Sequence, residues 1–459
     1  MAGIGFTLRR LTQRDDLLGV FEGYGHSVLI SAGPWLFTVF AIGGITAVAA
    51  TPENLHALNS FRIVVIYNFA FSLVFSGSLI LVATRYLADR IYLRNVEEGP
   101  GMLLASYAIL FVIGALTAGP FYGFWVELAP GLRVAAIANY QLVSGIWVAS
   151  VFLTTLKDFN SVTGTFALGM ATAFGASIAL EGPLGATGVM IGFNCGLGVI
   201  LFVLTARIFA EYPYGVVRPF AFLGYFKRYW DLALSGLVYN LAVWADKWVM
   251  WFSPEREELP SGMISFPDYD SAMFLAYLTI VPALAVFMVA IETRFFERYQ
   301  AFYRDIQKHA TLDRIRENHR ELIATLLDSS RSVVVLQICI CVTAILVSPY
   351  LFERLGVPIS QIGIFRLGVL GAMFHVLLLF VSIVLAYFDL RKILLLAHSV
   401  FLVVSVGVSM LTLEWGFAWY GYGYVAASIV ALTVAYGLLA RELARLPYLA
   451  FVKSNASIP

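Results

Sequence analysis

Charge is scarce in this chain: Asp, Glu, Lys and Arg make up 13% of 459 residues, while 60% are hydrophobic. A soluble domain of that length would spread charge over a polar shell, so that class is excluded. Cysteine is scarce too. Cys195, Cys339 and Cys341 fall inside apolar stretches, without metal-site spacing or the loop position of a structural disulfide, and read as small apolar residues. A phosphate loop is missing: the glycines of Gly182-Pro183-Leu184-Gly185-Ala186-Thr187-Gly188 open an apolar span and lack the Lys-Ser/Thr that grips phosphate. ATP is therefore not expected to power the chain directly. Asp268-Tyr269-Asp270 has the Asp-x-Asp form that holds a metal in many glycosyltransferases, yet it falls in a loop on the side away from nucleotide sugars. The sequon Asn455-Ala456-Ser457 lies on a tail assigned to the cytoplasm, where it is inert. Neither an enzyme, a cofactor, a metal nor a nucleic-acid partner is expected.

What is abundant is long apolar runs. Spanning helices are predicted near 24–49, 61–84, 102–127, 133–156, 162–181, 184–210, 232–252, 271–293, 332–352, 363–388, 393–413 and 419–440. Each reaches the ~17–25 residues that cross a ~30 Å hydrocarbon layer. The runs are continuous, whereas a barrel strand would alternate over ~10 residues. The fold class is an all-α polytopic membrane protein of twelve helices.

Lys and Arg in short loops stay on the cytoplasmic side. With both termini inside, 24 of the 30 become cytoplasmic, leaving Arg62, Arg133, Lys247, Arg256, Arg354 and Arg366. A missed or invented helix would invert every later loop and destroy that split. Ala47-Val48-Ala49 resembles a signal-peptidase site, but the ~25-residue stretch before it exceeds a signal core and follows Asp15, Asp16 and Glu22, so a retained first span is expected. The loop Ser253 to Asp270, acidic at Glu255, Glu257, Glu258, Asp268 and Asp270, reads as a solvated connector on the opposite side. The segment 294–331 places Phe295, Phe296, Tyr299, Phe302, Tyr303 and Ile306 among charges at helical spacing, as in a helix lying along headgroups or docking a soluble partner.

The chain also repeats itself. Phe21-x-x-Tyr24 matches Phe226-x-x-Tyr229, Thr84-Arg85-Tyr86 matches Thr293-Arg294-Phe295, and Gly188, Gly192 and Gly196 align with Gly423, Ala427 and Ala431. Two halves follow, 1–215 with helices 1–6 and 216–459 with helices 7–12. An even number of spans per half makes the halves parallel, two pseudo-symmetric six-helix lobes around a central cavity that alternating access would open to either side. The small-residue ladders let helix backbones approach.

Ionisable groups at membrane depth are costly, roughly 2.5–3.5 kcal/mol at a helix centre, and are functional candidates. Asp246 and Lys247 sit in the seventh span beside Trp244 and Trp248. Adjacent helix residues do not face one another, so each is expected to need another partner. Arg62 lies at a depth comparable to Asp246, and Arg85 is level with Glu292, which suggests an outer Asp246–Arg62 closure and an inner Arg85–Glu292 closure. His26, Asn68, Asn139, Gln141, Asn194, Asn240, His375 and His398 read as helix-to-helix hydrogen-bonding groups. Gly33-Pro34, Gly119-Pro120 and Val281-Pro282 are expected to interrupt helices.

Several stretches carry a family resemblance: Met1-Ala2-Gly3-Ile4-Gly5-Phe6 with Leu8-Arg9-Arg10-Leu11, Ser31-Ala32-Gly33-Pro34-Trp35, Thr84 to Arg90, Asp246 to Phe252, and Glu292 to Tyr299. Together they resemble the PelG family, membrane transporters of Pel exopolysaccharide machinery in Gram-negative bacteria within the multidrug/oligosaccharidyl-lipid/polysaccharide (MOP) exporter superfamily. Ala32 departs from an expected Ser. The resemblance implies a flippase-like transporter that moves a galactosamine-type glycan across the inner membrane, in a complex with the glycosyltransferase PelF, the cyclic-di-GMP receptor PelD and PelE. For a largely neutral glycan, aromatic and hydroxyl groups matter more than charge, which makes Tyr24, Tyr67, Tyr140, Tyr239 and Trp244 the path candidates. A cation-coupled drug antiporter, with Asp246 as titrating carboxylate, and a non-transporting scaffold of the synthase complex are the alternatives.

Overall fold

The computed structural model describes residues 17–50, 55–155 and 159–448. In chain order it forms α1 Leu17–Ala49, α2 Leu55–Tyr92, α3 Gly99–Pro120, α4 Pro130–Thr155, α5 Phe159–Glu211, α6 Gly224–Arg228 and α7 Trp230–Met250. A hairpin of β1 Glu257–Glu258 and β2 Ile264–Ser265 follows. Then come α8 Pro267–Leu278, α9 Val281–Ala290, α10 Phe296–Gln307, α11 Leu312–Leu355, α12 Ile362–Tyr387, α13 Arg391–Trp415 and α14 Tyr422–Ala444.

Ten described segments are long and apolar enough to cross a membrane. They resolve into the expected twelve spans for two physical reasons. The 53-residue α5 is really two limbs: Gly185 adopts φ 57°, ψ −139°, a conformation only glycine takes without strain, and Pro183 just before it removes a backbone donor. The 21-residue α7 is long enough to span but is diluted by Asp231, Asn240, Asp246 and Lys247. The expected interruptions divide. α3 ends at Pro120 and gives way to a π turn over Phe121–Trp125, and Pro282 opens α9 after the turn that ends α8. At Pro34 the expectation fails, because α1 runs through it and Thr38 Oγ1 donates to the Pro34 carbonyl at 2.8 Å.

Packing groups the chain into two compact units, one of residues 32–267 and the other of Asp268 onward together with the chain up to Ser31. The repeat boundary expected near 215 and this packing boundary differ because α7 lies along α2. Gly77 and Gly236 meet there so closely that a methyl on either would run into the other's carbonyl. Ser78 Oγ donates to Ala233 O at 2.8 Å and Asn240 Nδ2 to Leu73 O at 3.1 Å.

Elsewhere in this unit Asn68 Nδ2 donates to Asn139 Oδ1 at 2.9 Å and Asn139 Nδ2 to Asn194 Oδ1 at 2.8 Å, which ties α2, α4 and the second limb of α5. Tyr122 Oη donates to Asn68 Oδ1 at 2.8 Å. Those three asparagines are the inter-helix glue the sequence suggested. The glycine ladder also packs as expected: Gly188, Gly192 and Gly196 lie against Leu180, Ser177 and Ala173 of the first limb. In the second unit Gly423 of α14 lies against Ser409 of α13 in the same way, the repeat expressed in packing.

Two expectations are corrected. The loop after α7 is more than a solvated connector: Glu255, Glu257 and Glu258 are exposed, but Met263 and Phe266 are buried, and Tyr67 Oη donates to Ile264 O at 2.7 Å and accepts from Ile264 N at 3.3 Å. Nor does the aromatic face of α10 await lipid or a partner. Phe295 and Tyr299 pack on Tyr387 and Phe388 at the end of α12, and Tyr299 Oη donates to Tyr387 O at 3.0 Å. α10 also closes on α11, where the buried Asp305 accepts from Arg314 Nε at 2.8 Å and Asn318 Nδ2 at 2.5 Å.

The α2–α7 contact is sharply testable. Gly236→Ala should lower stability by about 1–3 kcal/mol, the usual cost of overpacking, read as a drop in the melting midpoint of the detergent-solubilised protein. Gly43→Ala, where an added methyl meets open space, should leave that midpoint unchanged or higher.

Candidate functional site

Helix periodicity places Tyr67 and Phe71 one turn apart on α2 and Trp244 and Trp248 one turn apart on α7, with Trp251 capping the end of α7. Because α2 and α7 are in backbone contact, these rings meet. Trp248 stacks on Phe71 at 4.8 Å and 13°, and Trp251 on Tyr67 at 4.8 Å and 10°. Trp244 continues the row from Trp248 at 6.4 Å and 22°. Phe121, the first residue of the π turn after α3, lies 5.9 Å from Tyr67 at 20°, and Tyr67 contacts Phe71 at 5.8 Å. The result is a continuous ladder of aromatic rings with a buried middle, Tyr67 and Trp251, and half-buried ends at Trp244 and Phe121.

Beside the ladder lies charge. Asp246 is fully buried and accepts from Lys247 Nζ at 3.1 Å. The two pair although they are adjacent, because the flexible lysine stem curls back along the helix, and the expected need for another partner holds for Lys247, whose Nζ also reaches Val243 O at 3.2 Å and lies 5.8 Å from the Trp244 ring centre. A carboxylate, a backbone carbonyl and a π face thus solvate one ammonium where water is scarce.

The other expected residues scatter. Arg62 is exposed near the start of α2, and in this structure Asp246 takes Lys247 as its cation. Arg85, near the far end of α2, has Nε 3.4 Å from Asp89 Oδ1 and its guanidinium 5.3 Å from the Tyr229 ring centre. Tyr225 of α6 donates to Asp89 Oδ2 at 3.2 Å, and burial together with that carboxylate pushes its phenol above the ordinary range, so it stays a neutral donor. Tyr140 is buried with its ring against Gly114 of α3, and Tyr239 is half-buried on α7. The side chains of Tyr24, His26 and Glu292 lie outside the described residues. The backbone at Glu292 belongs to a second π turn, Ile291–Phe295, between α9 and α10.

Sequence reasoning missed Phe71, Trp251 and Phe121 as ladder members. The four-residue spacing of Tyr67 and Phe71 was available as a signal; the partnership with Phe121 was not, since it depends on how α3 ends. Asp268, one of the Asp-x-Asp carboxylates, accepts from Gln361 Nε2 at 2.8 Å while Tyr269 between them is fully buried, so the motif is built into packing. Among the described residues no group of His, Cys, Asp and Glu could hold a metal ion.

Residues 1–451 match the family model PelG, described as "Putative exopolysaccharide Exporter (EPS-E)". Among curated proteins none matches the sequence significantly. The structure resembles an outward-facing multidrug resistance MATE family transporter of the MOP superfamily at 18% identity, covering 96% of this chain and 98% of that one, with a TM-score of 0.64. It resembles a MOP superfamily transporter from Pyrococcus furiosus, described for the reverse polarity of its binding pocket, at 16% identity over 96% and 98% of the chains, TM-score 0.64. An inward-facing MATE family transporter aligns at 16% identity over 91% and 99%, TM-score 0.61. At these identities the likeness shows the fold.

The buried pair makes a two-sided prediction. Asp246→Asn or Lys247→Met alone should destabilise the protein by about 3–5 kcal/mol, because each strands a charge or dipole, whereas the double replacement Asp246→Leu with Lys247→Met should recover most of that loss. Melting midpoints of the three variants decide it, and additive losses would refute the pairing.

Proposed function

The chain belongs to the PelG family of exopolysaccharide exporters, and on that basis we propose that it conducts a galactosamine-rich polysaccharide across the bacterial inner membrane. The family match along nearly the whole sequence carries this reading. A multi-pass fold shared with MOP superfamily transporters supports it. The excess of Lys and Arg in alternate loops supports cytoplasmic termini.

The half-buried end of the ladder, Trp244 and Trp248, suits such a cargo, with the buried rings behind it holding it in place. A neutral sugar ring has apolar C–H faces and polar edges, and aromatic rings offer an apolar face without demanding one fixed set of hydrogen bonds. Weak, repeated contacts let a polymer advance where a tight pocket would hold it. With no nucleotide-gripping loop in the sequence, polymer synthesis supplies the drive in this proposal. A cytoplasmic glycosyltransferase of the PelF type, alongside PelD and PelE, is the corresponding partner set.

Removing this protein while the synthase stays active should leave polymer in the cytoplasm, detectable by fractionation and lectin staining. Loss of the polymer altogether would point instead to a role in synthesis or assembly. Trp244→Ala with Trp248→Ala should cut export at least severalfold while the protein remains folded in the membrane.

A further inference from the structure

On the second unit, the π turn Ile291–Phe295 delivers Arg294 one turn before Arg298 of α10, so both guanidiniums point along one face. Opposite them α11 presents Thr325, Asp328 and Ser329, also within one turn. With Glu297 these residues line a polar cavity of about 300 Å³, at the small end of ligand-sized cavities.

Three observations define what fits it. The cavity sits at a membrane boundary: the apolar run of α9 stops at Ile291, and on α11 an apolar run begins at Val333. Two neighbouring helices thus change from lipid-compatible to charged within about a turn of the cavity, the level of headgroups. Its lining also carries both signs, Arg294 and Arg298 against Glu297 and Asp328. Finally, Arg298 is paired with Glu321, whereas among the described residues neither Arg294 nor Asp328 has a side-chain partner. Both are exposed to the cavity rather than spent on the fold.

We propose that this cavity seats a phosphoethanolamine group, supplied by a zwitterionic phospholipid of the surrounding leaflet. Arg294, with Arg298 beside it, takes the phosphate in charge-assisted hydrogen bonds, and the Ser329 hydroxyl serves a further phosphate oxygen. Asp328 and Glu297 take the ammonium. The acyl chains run along the apolar surface of α11, where Val335 and Ile338 are exposed. A purely cationic cleft would choose an anionic lipid; the two carboxylates turn the choice toward the zwitterion. This site is independent of the cargo assigned above.

The full-length protein in detergent can be titrated with short-chain phosphatidylethanolamine, short-chain phosphatidylglycerol and soluble phosphoethanolamine, with native mass spectrometry reading occupancy. Phosphatidylethanolamine should bind most tightly. Arg294→Gln should weaken it about tenfold, as expected for losing one charge-assisted hydrogen bond. Asp328→Asn should reverse the preference toward phosphatidylglycerol. Since neither side chain supports another residue, both variants should keep the wild-type melting midpoint, which separates lost binding from lost fold. Equal binding of the two lipids by the unaltered protein, or no effect of Arg294→Gln, overturns the site. Soluble phosphoethanolamine binding as tightly as the lipid overturns the leaflet as its source.

Discussion

Helices surrounded by hydrocarbon gain nothing from burying leucine against leucine, because lipid tails are as apolar as the side chains they replace. Association must come from backbones close enough for dense van der Waals contact and from polar groups that have no water to fall back on. This chain meets that constraint in two ways. Gly77 against Gly236 and the ladder Gly188, Gly192 and Gly196 bring backbones together, and the Asn68–Asn139–Asn194 relay threads three spans with hydrogen bonds. The aromatic ladder is a by-product: Trp248 reaches Phe71, and Trp251 reaches Tyr67, only because two glycines let α7 lie down on α2.

The same constraint explains the arrangement around Asp246. A carboxylate at that depth is tolerable only if its charge is cancelled nearby, and the residue next to it in sequence does so at little cost in ordering. The pair also fixes the Lys247 ammonium over Trp244, which joins the charge to one end of the ladder. Local sequence neighbours thus build a feature that would otherwise need two helices to agree.

Much of this was legible beforehand because the signals are one-dimensional. Span count and the helix ladders follow from apolar run length and from residues four apart, and both halves repeat a small-residue face, at Gly188 and at Gly423. What escaped was three-dimensional or conformational. The Asp246–Lys247 contact depends on a lysine rotamer, not on where the two residues point at their α carbons. The aromatic face of α10 looked available because nothing in its own sequence says that Tyr387 and Phe388 end their helix within reach. Pro34 looked like a break, yet α1 continues through it, as a membrane helix can where side chains and neighbouring helices satisfy the freed backbone groups. Tyr67 stood out in the sequence as an aromatic at membrane depth, but its tie to Ile264 could not be foreseen, since it hangs on a hairpin of only two residues per strand.

The turn at Gly185 also limits how the two limbs of α5 can shift. With so short a connection, and with Gly192 seated against the Ser177 backbone, neither limb can slide along the bilayer normal without dragging the other, so the hairpin behaves as a single mechanical element.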